Sequence, residues 1–260
     1  MRDLCRHSDL ARDPRGVSEV IGFVLVFSLV LGAIVLVYTS GLGGLTDARD
    51  VEQVNNAERA FDVLANNFEK MARGQAPNRA TEIKLSDSTL DTGQARRVST
   101  NTSALDTSVA ADRSRSFRYS TPGGSRITYE HGAVFRTDAD GAVTMKREPD
   151  FLFDKEHTVI RYMEVVGGDQ SISGETTVLV RAEVSQSELL HTEEDPGEVT
   201  FTLRTAPERA TAWEAYLEDE IPSNGDCSRI EETDDFVSIE CEFDADSLSV
   251  ASTRIRIHLT

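Results

Sequence analysis

The chain has few of the residues from which catalytic and metal sites are built. Its 260 residues include three cysteines and five histidines, and it contains no HExxH, GxSxG, CxxC or Walker A sequence. Two cysteines without nearby histidines cannot supply the four ligands of a structural zinc site. We therefore expect a protein that is not an enzyme and that has no metal site and no cofactor. The histidines are scattered: His7, His131, His157, His191 and His258.

Positive charge is also scarce. The chain carries 45 acidic and 27 basic residues, a formal charge of -18, which argues against nucleic acid as a partner because phosphates require a basic face. The few lysines (Lys70, Lys84, Lys146 and Lys155) and many carboxylates resemble proteins of salt-loving archaea, in which high salt screens the self-repulsion. The alternative is an ordinary acidic extracellular domain.

One long apolar run interrupts this hydrophilic chain. From Val20 to Tyr38 the sequence is VIGFVLVFSLVLGAIVLVY, and no charge follows until Asp47. About 20 apolar residues can cross the hydrocarbon core of a bilayer as one helix. Excess arginine stays cytoplasmic, so we expect a single-pass cell-membrane protein with its N-terminus inside and its C-terminal domain outside. The arginines before the run are Arg2, Arg6, Arg12 and Arg15, whereas Asp47, Asp50 and Glu52 follow it.

The residues in front of the run give a more specific signal. The junction Arg15-Gly16, followed by Val17-Ser18-Glu19-Val20-Ile21-Gly22, resembles the processing site of archaeal type IV pilins and pilin-like proteins. The resemblance implies that a prepilin peptidase removes residues 1–16, Cys5 included, and that the mature protein begins at Val17. Bacterial type IV pilins carry glutamate at mature position five. That position is Ile21 here, so the role of the bacterial glutamate is not transferred to Glu19.

The same resemblance implies what the apolar helix does. It would leave the membrane and pack with other pilin-like subunits, making the protein a minor or accessory subunit of a pilus-like surface structure with an unknown ligand. The alternatives are a cleaved secretory signal, a signal anchor on a surface-binding or sensory domain that does not assemble, and a membrane-tethered enzyme. The implied assembly residues are Val20, Ile21, Gly22, Phe23, Leu25, Phe27, Leu29, Leu31, Ile34 and Leu36.

A second helical segment follows the run. Gly41, Gly43 and Gly44 predict a flexible break, and Thr46 or Asp47 can cap the next helix. That helix has an apolar stripe, which we expect to pack on the following domain, and packing between subunits is the alternative. Gly74 can end the helix. The stripe consists of Val51, Val54, Ala57, Phe61, Leu64, Ala65, Phe68 and Met71.

These patterns predict an α+β protein. A long N-terminal helix, transmembrane in its first half, precedes a β-rich, mainly antiparallel extracellular domain with one short helix. The predicted segments are a cytoplasmic leader (1–16), a transmembrane or pilin-core helix (17–40), an amphipathic continuation (41–75) and the extracellular domain (76–260). Strands are predicted near Ile83, over 117–119, 126–129 and 133–137, then over 142–145, 158–166, 176–184 and 199–204, and at the C-terminus. Residues 87–115, which hold the N-x-S/T sequon at Asn101, are predicted to form a loop or a loosely ordered edge of the sheet.

The end of the domain carries its remaining signals. Pro207 starts a helix that runs to about Glu220, with Thr205 as a candidate cap and Trp213 on the inward face. A hairpin follows, in which Cys227 and Cys241 are candidates for a disulfide that an exported location permits. The alternative is two separate buried thiols.

Overall fold

The computed structural model describes the backbone of residues 14–105 and 107–260, and the side chains of residues 20–39, 49–105 and 107–260. The chain divides into two compact units, Met1–Arg49 and Asp50–Thr260. Helix α1 spans Pro14–Ala72 and helix α2 spans Pro207–Glu220. The strands are β1 (Asn78–Lys84), β2 (Ser88–Thr102), β3 (Val109–Ser120), β4 (Arg126–Glu130), β5 (Ala133–Thr137), β6 (Val143–Arg147), β7 (Phe151–Leu152), β8 (Thr158–Val166), β9 (Ser171–Gly174), β10 (Thr177–Thr205), β11 (Asp226–Glu232) and β12 (Val237–Leu259).

Helix α1 continues through the glycines that predicted a break. Gly41, Gly43 and Gly44 have helical backbone, and so do Thr46 and Asp47, which were expected to cap a new helix. Each glycine costs about 1 kcal/mol in a helix interior relative to alanine. Extending an existing helix is far easier than nucleating one, so a few glycines do not stop it. The expected break and cap are therefore wrong.

The C-terminal part of α1 packs on the sheet, as its stripe predicted. Val54, Phe61, Leu64 and Phe68 belong to one buried cluster with residues of the strands. Val51 is the exception, because it lies before the first buried position and remains 54% exposed. The helix ends at Ala72, just before the expected terminator Gly74, whose φ of 71° is favourable for glycine. The amide of Gln75 donates to the carbonyl of Lys70 at 2.9 Å.

Within the described residues, twelve strands form one sheet. Nine of them follow the order β6-β5-β4-β3-β2-β10-β12-β8-β7, while β1 pairs with β10, β9 with β2 and β11 with β12. The described pairings are antiparallel except that of β12 with β8, which is parallel. A long helix followed by a mainly antiparallel β-rich unit with the short helix α2 confirms the predicted fold class.

The sheet has an apolar cluster on each of its two faces. Neighbouring residues of a strand point to opposite faces, and they divide accordingly: Val134 packs with the cluster of α1, whereas Phe135 packs with that of α2. Tyr162 and Met163 of β8 divide in the same way. The C-terminal part of α1 and the whole of α2 therefore cover opposite faces of one sheet.

The segment 87–115, predicted as a loop or a loosely ordered edge, is largely regular strand. It forms β2 and the first half of β3, which pair with each other. Its polar side chains are accommodated by hydrogen bonds: Thr100 Oγ1 lies 2.5 Å from Tyr162 Oη, and Ser114 Oγ donates to the carbonyl of Met163 at 3.0 Å. A buried hydroxyl with a partner costs little, so a strand here does not need an apolar sequence.

Strands β10 and β12 are longer than the sequence predicted. The 29 residues of β10 join the two strands predicted at 176–184 and 199–204, and β12 runs 23 residues to Leu259. Register shifts between Val184 and Gln186, Leu189 and His191, and Glu194 and Gly197 keep the two strands paired through the polar middle. Bulges of this kind disturb the alternation by which a strand is recognised in sequence.

The turns of the domain follow the sequence more closely. Asp138 and Ala142 close the β5–β6 hairpin with an amide-to-carbonyl bond of 2.9 Å. Helix α2 begins at Pro207 as predicted, but its N-cap residue is Ala206, and no side-chain cap is present among the described residues. The predicted cap Thr205 instead donates its hydroxyl to Glu130.

Candidate functional site

The part of α1 from Val20 to Thr39 differs from the rest of the chain. Its mean hydropathy is 3.1, and none of it is buried. At 1.5 Å per residue its 20 residues extend about 30 Å, which is the thickness of a hydrocarbon core. By length and composition it is a helix able to span a membrane.

The predicted assembly residues all lie on this exposed helix. Apart from Gly22, their exposure ranges from 46% for Leu31 to 73% for Leu29, and the rings of Phe23 and Phe27 stack with centroids 6.0 Å apart. Large apolar side chains occupy every direction around the helix axis. A helix that is apolar on all sides belongs in an apolar environment.

The small and polar residues of this helix suit such an environment. The hydroxyl of Thr39 donates within the helix to the carbonyls of Val35 at 3.0 Å and Leu36 at 3.2 Å, so it requires no water. A Cβ placed on Gly22 or Gly32 would meet no heavy atom of the described residues within 4 Å. Packing inside the chain therefore does not explain why these two positions are glycine.

The predicted processing residues Arg15, Gly16, Val17, Ser18 and Glu19 have helical backbone at the start of α1, and their side chains lie outside the described residues. The rest of the predicted leader, residues 1–13 with Cys5, also lies outside them. The processing and assembly residues thus follow one another along a single helix.

The other two predicted sites belong to the β-rich unit. Cys227 of β11 and Cys241 of β12 face each other in register and form a disulfide with a Cα–Cα distance of 4.1 Å. Asn101 is exposed and lies on β2 opposite Thr200. The sequon is therefore in a strand and not in the predicted loop. Asn101 stays a predicted glycosylation site.

The sequence did not predict a buried charged cluster between β4 and α2, which we call the Glu130 cluster. The carboxylate of Glu130 is 1% exposed and accepts hydrogen bonds from Arg209 Nε at 3.0 Å and Arg209 Nη2 at 2.9 Å. It also accepts from Thr205 Oγ1 at 2.6 Å and Trp213 Nε1 at 3.2 Å. The available signals were an acidic residue ending an apolar strand and an arginine on the inward side of a helix.

The pKa values of Glu130 and of the adjacent His131 are shifted in this cluster. Burial alone would raise the pKa of Glu130, but the charge of Arg209 and the hydrogen bonds from Arg209 and Thr205 outweigh it and lower the pKa from 4.5 to about 2. Burial lowers the pKa of the adjacent His131. Because four donors occupy the carboxylate, the Glu130 cluster fastens α2 to β4 and offers no free base. Among the described residues, no three His, Cys, Asp or Glu side chains are grouped to hold a metal ion.

One family model, described as a family of unknown function (DUF7289), matches residues 15–260. The chain belongs to this family. No curated protein and no solved structure is significantly similar to the chain. The DUF7289 match begins at Arg15, so it includes the Arg15-Gly16 junction, the apolar helix and the β-rich unit.

Proposed function

We propose that this protein is a minor or accessory pilin-like subunit that is exported, cleaved after Gly16 and assembled through its apolar helix into a type IV pilus-like surface structure. The leader would remain in the cytoplasm and the β-rich unit would lie outside the cell. The prepilin peptidase and other pilin-like subunits would be its partners, with the membrane holding the helix before assembly.

The observation that carries the proposal is the exposure of the apolar helix. Fifteen large apolar side chains between Val20 and Tyr38 are exposed. Fully burying one such side chain stabilises by about 1.5–3 kcal/mol, so burying all of them would stabilise by roughly 20–45 kcal/mol. A domain is stable by only about 5–15 kcal/mol. The helix therefore requires lipid or other helices around it.

The second part of α1 provides a contrast within the same helix. From Val54 to Met71 the apolar residues of its stripe are buried in the β-rich unit. Its polar side is bonded to the sheet as well, because Arg147 reaches Asp62 at 2.7 Å and Glu69 at 2.6 Å. This part thus has its partners inside the chain, and only the part before it is left for lipid or other subunits.

The Arg15-Gly16 junction favours a processed helix over a permanent anchor. A simple anchor needs only the apolar length, whereas the resemblance to a prepilin site rests on residues 15–22 directly at the start of that length. The DUF7289 match includes these residues together with the rest of the chain. A signal-anchored surface domain that never assembles is the competing function.

Processing can be tested on the full chain, expressed with the prepilin peptidase of the same organism. Intact mass and N-terminal peptides would be compared for wild type, Gly16→Val and the control Gly32→Val, which makes the same substitution within the apolar helix. We expect loss of residues 1–16 in wild type and Gly32→Val, and retention of Met1 in Gly16→Val. Wild type that keeps Met1 while the peptidase cleaves a known prepilin would contradict the proposal.

Assembly is tested separately, on the processed protein. Surface filaments would be sheared from cells and analysed for the β-rich unit by mass spectrometry. We expect the processed chain in the filament fraction of wild type and its absence in Gly16→Val. Processed protein that remains entirely in the membrane fraction would favour the surface domain that does not assemble.

A further inference from the structure

A depression in the β-rich unit is lined by four arginines. Its volume is about 510 Å³, and Arg113, Arg115, Arg254 and Arg256 surround it together with Gly167 and neighbouring apolar residues. Among the described lining residues there is no carboxylate. The chain as a whole has a net charge of -18, so a lining whose charged residues are all cationic is unusual for this protein.

The sheet topology brings these arginines together. Arg113 and Arg115 are two residues apart on β3, and Arg254 and Arg256 are two residues apart on β12, so each pair points to one face of its strand. Strand β8 lies between them: it pairs with β12, and Ser114 of β3 donates a hydrogen bond to the carbonyl of Met163. Two arginine pairs from distant parts of the sequence therefore converge.

Carboxylates neutralise this group only in part. Arg115 contacts Asp169, Arg254 contacts Glu164, and Arg256 contacts Glu183. Arg113 is exposed and has no ion-pair or hydrogen-bond partner among the described residues.

Not every donor of the four arginines has an acceptor among the described residues. Arg254 Nε is enclosed and lacks an acceptor among the described residues. The side chains of Arg115, Arg254 and Arg256 are 25%, 33% and 48% exposed, so their guanidinium groups are held at the wall while still reachable by solvent. Like charges held together repel each other, and a bound anion would offset this repulsion because it attracts each guanidinium.

A larger neighbouring depression differs from the four-arginine depression in the charge of its lining. It has a volume of about 630 Å³ and shares Arg115, but its lining is balanced in charge. Its arginines are Arg96, Arg115, Arg118 and Arg209, and its carboxylates are Asp169, Glu208, Asp234 and Asp235. The four-arginine depression has no such balance in its lining, so it is the better site for an anion.

We infer that the four-arginine depression binds a tetrahedral oxyanion, a phosphate or sulfate group, either free or carried by a sugar-sized molecule. Planar guanidinium groups donate paired hydrogen bonds to such oxygens and remain charged at any physiological pH. A volume of about 510 Å³ lies within the range of small-molecule sites, so it can hold the group together with its carrier. This inference is independent of whether the chain assembles.

The test is calorimetric titration of the full chain in nonionic detergent with sodium phosphate, sodium sulfate and glucose 6-phosphate. Sodium chloride would hold the ionic strength constant, so that screening is the same in every titration. The variant Arg113→Gln/Arg256→Gln removes one guanidinium from each pair. The control Arg181→Gln removes an exposed arginine of β10 that does not line the depression.

We expect saturable binding in wild type and Arg181→Gln, and affinity at least about tenfold weaker in Arg113→Gln/Arg256→Gln, because charge-assisted hydrogen bonds are lost. Equal affinity for phosphate and glucose 6-phosphate would identify the free ion as the ligand, and tighter binding of glucose 6-phosphate would identify a sugar-borne group. Both support the site.

Two results would overturn it. One is the absence of saturable binding of all three anions to wild type, and the other is equal affinity in wild type and the double variant. Arg113→Glu provides a second variant, which breaks no contact among the described residues. This variant should also lower the affinity at least about tenfold, and Trp213 fluorescence verifies that each variant is folded. Unchanged affinity in a folded Arg113→Glu protein would equally reject the inference.

Discussion

Replacing Glu130 by glutamine should destabilise the β-rich unit strongly. The substitution keeps the size of the side chain but removes the charge that faces Arg209, whose side chain is only 6% exposed. Arg209 would keep only its ion pair with Glu208 at 3.0 Å, and the Glu208 side chain is 37% exposed. Removing one partner of a buried ion pair typically costs about 3–5 kcal/mol. Since a domain is stable by about 5–15 kcal/mol, the variant should lose roughly a fifth or more of its free energy of unfolding.

The assay is urea unfolding of the full chain in nonionic detergent, followed by the fluorescence of Trp213. This residue is the single tryptophan of the chain, is fully buried and donates to Glu130, so its emission reports directly on the cluster. The control is Glu183→Gln, which breaks the exposed ion pair with Arg256. An exposed pair contributes about 0–1 kcal/mol, so this control should be nearly neutral.

A double variant separates charge from packing. Arg209→Met in the Glu130→Gln background removes the guanidinium that has lost its buried partner and keeps an apolar side chain of similar length. The double variant should therefore be less destabilised than the sum of the two single variants. The reasoning is refuted if Glu130→Gln costs no more than Glu183→Gln, or if the effects of the two substitutions add.

Three further perturbations act on the same unit, each followed by urea unfolding. The pKa of Glu130 is lowered from 4.5 to about 2, so its ionised carboxylate stabilises the fold above pH 4.5, and this stabilisation is lost as the pH falls toward 2. We expect the free energy of unfolding to fall by about 3 kcal/mol over this range in wild type and not in Glu130→Gln. Replacing both Cys227 and Cys241 by alanine should cost about 3 kcal/mol, and an unchanged urea midpoint would contradict it. Phe61→Ala, in the core, should cost about 3–5 kcal/mol and the exposed control Val63→Ala less than about 0.5; similar losses would count against the described packing of α1.

The sequence predicted best the elements whose signals are local. Helix α2 spans Pro207–Glu220 as predicted, because a proline at the first turn and a helical apolar spacing are both visible within 14 residues. Strand β8 spans Thr158–Val166 as predicted. The stripe of α1 was recognised for the same reason, since one face of a helix repeats every three or four residues.

Prediction from the sequence failed where the burial of a residue depends on partners distant in sequence. Thr100 is buried because its hydroxyl meets that of Tyr162, 62 residues later, so β2 could not be distinguished from a polar loop. In the Glu130 cluster, Glu130 bonds to side chains that follow it in the sequence by 75 to 83 positions. The four-arginine depression depends on β8 pairing with β12 while its Met163 accepts a hydrogen bond from Ser114 of β3, and no local pattern contains this placement.

The two parts of α1 differ in what surrounds them, and this difference supports an intermolecular role for the first. Both core clusters of the β-rich unit are made of residues from Val54 onward, so no side chain of the Val20–Thr39 helix contributes to them. Stability of that unit therefore does not account for fifteen large apolar residues held in one uncharged helix. Those side chains become favourable only against lipid or other helices. We propose that this helix, placed directly after the Arg15-Gly16 junction, joins the protein first to the membrane and then to neighbouring subunits.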